Sequence, residues 1–123
     1  IMMDGDHFKE INDNYGHNMG DEVIKLSAKM IIGRIRVVDL ASRLHGDEFA
    51  IFVSNTEDYA VARRIVADIN NTIAREARKM NIPSITLSGA VIARHGDTYV
   101  ELSKAADKAL YKAKESHDGG FSC

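Results

Sequence analysis

Apolar residues follow two rhythms along the chain, and their changes mark the elements. Ile1-Met2-Met3 stop at once on Asp4-Gly5-Asp6, which reads as the end of a buried strand. Asp6 is expected to cap a short helix in which Phe8, Ile11 and Tyr15 fall at helical spacing, with Gly16 ending it in a left-handed conformation. Residues 16–20 read as a loop before a second helix over 21–35, whose inner stripe is Val23, Leu26, Met30 and Ile31. Residues 40–44 read as a short strand and 49–53 as a strand apolar on both faces. His45-Gly46-Asp47-Glu48 between them is the size of a turn, so the pair is predicted to form a hairpin. Thr56 is expected to cap a long helix reaching Met80, with Val61, Ile65, Ile69 and Ile73 at every fourth position. Pro83 forbids its continuation. A strand follows over 85–93, with Ile85, Leu87 and Val91 inward, and His95-Gly96-Asp97 turns the chain. Thr98 and Glu101 make a capping box for a last helix to Glu115 that buries Leu102, Ala106, Ala109 and Leu110, and 117–120 read as loop. The order β-α-α-β-β-α-β-α predicts an α+β sandwich, a mostly antiparallel central sheet covered by helices.

Composition narrows the function classes. The 123 residues amount to one domain, with 45% hydrophobic and 28% charged positions, an ordinary globular balance. Sixteen basic against eighteen acidic residues, net charge −2, argue against a general nucleic-acid or anionic-membrane binder. No apolar run approaches the roughly 20 residues of a membrane span, and no signal peptide is expected. Cys123 is the single cysteine, so no internal disulfide forms, and an oxidising compartment is not required.

Two acidic clusters carry the candidate chemistry. Asp4-Gly5-Asp6 ends the first strand, and Asp47-Glu48 sits in the hairpin turn. If the first strand lies beside the hairpin, the clusters meet at one end of the sheet. Converging carboxylates repel unless a cation lies between them, and Mg²⁺ suits one or two carboxylates plus substrate phosphates. Gly5 lets the backbone approach closely and offers a carbonyl. Acids are equally common as plain turn residues at strand ends, and spacing alone does not separate the readings. Phe8-Lys9 begins the first helix, where backbone N–H groups and a lysine suit phosphate, although a surface lysine has the same appearance. Asn12 and Asp21 flank a glycine-bearing loop. An aspartate accepts two donors of the kind guanine's edge presents, yet Asp21 is as plausible as a helix cap. The histidines lack metal-ligand spacing, His17 reads as a structural loop residue, and no Ser/His/Asp or Cys/His nucleophilic set is visible.

Residues 4–17, Asp4-Gly5-Asp6-His7-Phe8-Lys9-Glu10-Ile11-Asn12-Asp13-Asn14-Tyr15-Gly16-His17, continue to Gly20-Asp21. This stretch resembles the D-x-D-x-F-K-x-I-N-D-x-x-G-H-x-x-G-D segment of GGDEF domains. Arg43-Leu44-His45-Gly46-Asp47-Glu48-Phe49 resembles the hairpin that names the family, and residues 106–114 resemble its A-D-x-A-L-Y-x-A-K helix. The resemblance covers nearly all of 1–123. The family's upstream D-x-L-T-G-L-x-N-R segment has no counterpart in it, so the expectation is a GGDEF domain without its N-terminal segment.

The resemblance implies a nucleotide-cyclase or polymerase-palm-like fold and a diguanylate cyclase, which condenses two GTP into cyclic di-GMP and two pyrophosphates as a dimer of domains. It makes Asp4, Gly5 (by its carbonyl), Asp47 and Glu48 ligands of Mg²⁺, with Mn²⁺ as a substitute. Asp47, Glu48 and Lys9 become catalytic. Phe8, Lys9 and Lys114 hold phosphates, Gly46 admits the nucleotide, and Asn12 and Asp21 read the guanine. Arg36 and Asp39 match the family's R-x-x-D inhibitory site for cyclic di-GMP. A second GGDEF domain, an upstream sensor or receiver, and a cytoplasmic location are further implications, with neither nucleic acid nor membrane as a partner of this segment. A polymerase reading is opposed by the short, acidic chain.

Three places depart from the pattern. His45 replaces the first glycine of the hairpin, Asp118 stands where an arginine is frequent, and Gly89-Ala90 replaces an apolar residue followed by glycine. His45 and Asp118 motivate an alternative: a degenerate domain that binds GTP or cyclic di-GMP and signals with little or no turnover.

Overall fold

The computed structural model describes residues 1–54, 58–90, 98–116 and 120–122. Strand β1 (Met2–Gly5) leads into helices α1 (Phe8–Tyr15) and α2 (His17–Arg34). A hairpin of β2 (Leu40–His45) and β3 (Glu48–Phe52) follows, then α3 (Tyr59–Met80), β4 (Leu87–Ala90), α4 (Tyr99–Ala113), a 3₁₀ turn (Lys114–Ser116) and β5 (Phe121–Ser122). The strands form one sheet in the order β2-β3-β1-β4-β5. All neighbours are antiparallel except β4 and β5, which run parallel. The predicted α+β sandwich is thus realised, with β1 at its centre beside the hairpin.

Burial follows the periodicities. Met3 on β1, Phe49 and Ile51 on β3, and Leu87 on β4 join Val23, Leu26 and Ile31 of α2 and Ile65, Ile69 and Ile73 of α3 in one core. Ile69 and Ile73 are wholly buried, each worth roughly 1.5–3 kcal/mol of transfer free energy. Gly89 sets how closely α3 approaches the sheet, because a Cβ there would lie 2.8 Å from Val66 Cγ2. That contact accounts for a glycine at 89.

Several sequence expectations are corrected. Asp6 does not cap α1: His7 holds that position in the left-handed conformation (φ 59°) without a side-chain cap, and Asp6 turns inward. Gly16 does end α1 and donates to the Asn12 carbonyl, but with φ 89° and ψ 164° it is not in the left-handed helical conformation expected. The expected loop over 16–20 is helical from His17, so neither Asp21 as a cap nor His17 as a loop residue stands. β3 carries apolar residues on both faces as expected, but only Phe49 and Ile51 are buried, while Phe52 is exposed. Asp58 caps α3, accepting from the Ala60 N–H, whereas Thr56 lies outside the described residues. Thr98 caps α4 as expected, accepting from the Glu101 N–H at 3.2 Å. Val91, the 95–97 turn, the Leu102 side chain and Asp118 also lie outside the described residues.

Strand β5 was not expected at all. The Gly89 N–H donates to the Gly120 carbonyl at 2.8 Å, and Arg63 of α3 lies over the Phe121 ring at 4.9 Å, a cation–π contact that ties the strand to the helix.

Candidate active site

The hairpin turn consists of Gly46 and Asp47, and Gly46 takes φ 51°, a value that favours glycine in two-residue turns. Arg43 Nε donates to the Gly46 carbonyl at 2.8 Å, and the strand register slips between Arg43 and His45. The turn lies against the end of β1. The Gly5 N–H donates to the Asp47 carbonyl at 3.2 Å, and Asp4 pairs opposite Glu48. A Cβ on Gly5 would stand 2.7 Å from Asp47 Oδ2, so the glycine makes room for the Asp47 carboxylate over the strand. The two acidic clusters therefore meet at one end of the sheet.

Their meeting is electrostatically costly. Burial, and next the charge of Asp47, push the Asp4 carboxyl up from 3.8 to about 6, while Lys114 pulls the other way. Lys114 follows directly on α4, and its Nζ donates to the Gly5 carbonyl at 2.8 Å. It lies 3.7 Å from Asp4 Oδ2 and 3.5 Å from Asp6 Oδ1. The cation expected on phosphates thus stands on the carbonyl expected as a metal ligand.

Asp6, grouped with Asp4 in the acidic cluster but expected to cap α1, takes a place in this site that the sequence did not assign. Its side chain is almost fully buried, accepting from Thr86 Oγ1 and Ser88 Oγ, both at 2.7 Å. The available signal was its place two residues beyond Asp4, the spacing at which an extended strand returns to the same face.

Helix α1 supplies a second group. Phe8 and Lys9 form its first turn, with Lys9 exposed. Asn12 lies against α2 at Gly20, where a Cβ would fall 1.9 Å from Asn12 Oδ1 and 3.3 Å from Phe8 Cζ. Asp21 is the next residue of α2 and is exposed. Asn12, Phe8 and the start of α2 are therefore brought together.

Glu48 is directed elsewhere. His45 and Glu48 face each other across the turn, and His45 Nε2 lies 3.0 Å from Glu48 Oε2. Arg36 and Asp39 form a separate cluster. Asp39, buried, accepts from the Arg36 N–H at 2.9 Å, from Arg36 Nε at 3.1 Å and Nη2 at 3.0 Å, and from the Ser54 N–H at 3.0 Å. The Arg36 guanidinium holds the Asp39 carboxyl well below the usual carboxylate range, helped by these backbone donors. Arg36 Nη2 also donates to the Ser54 carbonyl.

Among the described residues, no three His, Cys, Asp or Glu side chains gather closely enough to hold a metal by themselves. The donor set nonetheless suits Mg²⁺, which takes hard oxygens and completes its shell with water and substrate phosphates. Asp4 and Asp47 provide paired carboxylates whose mutual repulsion a divalent ion relieves, and Gly5 provides a carbonyl.

Residues 1–119 match the family described as "Diguanylate cyclase, GGDEF domain", and the chain belongs to that family. It is 37% identical over 123 residues to the diguanylate cyclase TpbB of Pseudomonas aeruginosa, covering 97% of this chain and 28% of that protein. It is 34% identical over 122 residues to the response regulator PleD of Caulobacter vibrioides, covering 94% of this chain and 27% of PleD. The crystal structure of the GGDEF domain of TpbB (YfiN) aligns with a TM-score of 0.83 at 37% identity, over 98% of this chain and 78% of that one. The GGDEF domain of DgcB from Caulobacter crescentus, solved in complex with c-di-GMP, aligns with a TM-score of 0.82 at 30% identity, over 98% and 74%. The chain thus spans about a quarter of the length of these curated relatives. No helix among the described residues is long and apolar enough to cross a membrane.

Proposed function

We propose that this domain is a diguanylate cyclase that condenses two GTP into cyclic di-GMP and two pyrophosphates. The observation that carries the reading is the Asp4–Asp47 pair, gathered at a glycine-tight hairpin beside Lys114. Each 3′-hydroxyl attacks the α-phosphorus of the GTP on a second, facing domain. A P–O bond forms, pyrophosphate departs, and the hydroxyl proton is lost to solvent.

The residues divide the work by chemistry. Backbone N–H groups of the α1 start, at Phe8 and Lys9, together with the ammonium groups of Lys9 and Lys114, hold the β- and γ-phosphates. Asn12 and Asp21 read the guanine edge. Adenine would leave the Asp21 carboxylate without its donors, which favours GTP over ATP. Gly46 permits close approach of the nucleotide at the turn. Asp4, Asp47, the Gly5 carbonyl and Glu48 would hold Mg²⁺, or Mn²⁺ in its place. When bound, the ion neutralises the triphosphate and favours the 3′-oxyanion. Arg36 presents its guanidinium to cyclic di-GMP as an inhibitory site, and Asp39 orients it. Input comes from a further domain, in keeping with the name of PleD as a response regulator, and the domain acts in the cytoplasm, where GTP is available.

One observation favours a second reading. The 3.0 Å His45–Glu48 contact engages a carboxylate that the cyclase reading needs, as expected of a domain that binds nucleotide without turning it over. Incubation of the protein with GTP and Mg²⁺, followed by chromatography, separates the two. Cyclic di-GMP formation supports the cyclase, and GTP binding without product supports the binding module.

A further inference from the structure

Asp6 is a buried carboxylate with no place in the reading above, and a buried charge is retained only when it is well partnered. Thr86 Oγ1 donates to Oδ2 and Ser88 Oγ to Oδ1, each at 2.7 Å, and the Asp6 N–H donates to the Thr86 carbonyl at 2.9 Å. Hydroxyl donors on both oxygens fix the carboxylate plane and leave it facing Lys114 Nζ at 3.5 Å. The same ammonium reaches the Gly5 carbonyl at 2.8 Å. Lysine carries a flexible stem and a point charge, so its place at a site depends on what anchors it. Asp4 and Asp47 crowd each other at the turn, whereas Asp6 is held by β4.

We infer that Asp6, clamped by Thr86 and Ser88, is a positioning residue that holds the Lys114 ammonium at the mouth of the Asp4–Asp47 pair. This rests on the reading of that mouth as a triphosphate site, in which Lys114 meets the phosphates. Asp6 touches neither nucleotide nor metal and acts through Lys114. The arrangement also couples β4 to the site: Thr86 precedes that strand, Ser88 lies on it, and the Gly120 N–H donates to Ser88 Oγ at 3.2 Å.

Two measurements test this independently. The first is the amine-labelling rate of Lys114, read by mass spectrometry against the exposed Lys9 as an internal reference. Asp6→Asn keeps the hydroxyl partners and removes the charge, so labelling of Lys114 should accelerate about tenfold, the scale of one charge-assisted hydrogen bond. Thr86→Val, a milder change of similar shape, should accelerate it by a smaller factor. An unchanged Lys114 rate in both variants, with melting temperature maintained, overturns the proposal. The second is GTP affinity in a double-mutant cycle with Lys114→Met. Asp6→Asn should weaken GTP about tenfold in the parent and add little in the Lys114→Met background. Equal loss in both backgrounds marks Asp6 as merely structural and also overturns the proposal. If the parent binds no GTP, the nucleotide reading fails, while the labelling arm still decides the Asp6–Lys114 coupling.

Discussion

Gly20→Ala should separate stability from nucleotide recognition, because the structure leaves the first nearly unchanged and weakens the second. Gly20 lies in the first turns of α2, and alanine is favoured over glycine in helix interiors by about 0.8–1.0 kcal/mol. The new methyl, however, would fall 1.9 Å from Asn12 Oδ1 and 3.1 Å from its Cγ. The obstacle is the end of a flexible side chain, so Asn12 turns away at a cost of about 0.5–1.5 kcal/mol. These terms nearly cancel, and the melting temperature should move by no more than a few degrees. In the proposed guanine-reading role, Asn12 can then no longer face the base. Loss of one or two hydrogen bonds at about 1–1.5 kcal/mol each weakens GTP by roughly ten- to a hundredfold. Calorimetric titration with GTP and with ATP, beside a thermal melt, reads both effects. GTP should lose far more than ATP, because only guanine-specific contacts are removed. Full GTP affinity with a displaced Asn12, or equal losses for both nucleotides, would refute the reasoning.

Three further outcomes are expected. The Asp4 carboxyl, raised from 3.8 to about 6, binds its proton more tightly in the folded chain, so stability declines as pH rises between those values and then levels off. Discounted for partial exposure, this is about 1 kcal/mol, so Asp4→Asn should raise the melting temperature in EDTA at pH 7.5, leave it unmoved at pH 4, and reduce Mg²⁺ or Mn²⁺ binding by titration. His45→Gly frees Glu48 from its contact with an exposed imidazole, with a stability change below about 0.5 kcal/mol; cyclic di-GMP formation should increase severalfold, and an unchanged rate would show that the hairpin is not limiting. Asp39 is held well below its usual range, so its stabilising effect is full above the ordinary carboxylate range and is lost as pH falls toward its lowered value. Asp39→Asn should lower the melting temperature at neutral pH by several degrees, and Arg36→Ala, which leaves the buried Asp39 carboxylate without its cation, should lower it at least as much and also abolish cyclic di-GMP binding or relieve product inhibition.

The fold was legible where apolar spacing had only one use. The i, i+4 row at Ile65, Ile69 and Ile73 could serve no strand, and it became the buried face of α3. The meeting of Asp4 with Asp47 was legible because a short turn following a strand leaves few ways to pair with β1. What the sequence concealed depends on distant partners. Asp6 precedes a helix, as a cap does, and its true partners Thr86 and Ser88 lie 80 and 82 residues away. Gly16 to Gly20 has the composition of a loop, yet helix α2 begins at His17, and the glycine at 20 is there to make room for Asn12 and Phe8 of α1. Strand β5 has two residues, too few for any alternation to show, and its conformation comes from the edge of β4. The engagement of Glu48 by His45 was likewise hidden: the histidine was visible as a departure, but its direction was set by the register across the turn.

The family match ends at residue 119, and β5 begins at Phe121. A recombinant domain trimmed to the matched residues would therefore lose the strand that shields one edge of β4, along with the Arg63–Phe121 contact. The exposed ladder of β4 would become a template for pairing with other chains. It would also remove the Gly120 N–H from Ser88, loosening a hydroxyl that orients Asp6. Where such a protein is cut thus affects its tendency to self-associate and, on the reading proposed above, its nucleotide affinity, and a boundary beyond Ser122 keeps the β4 edge covered and Ser88 bonded.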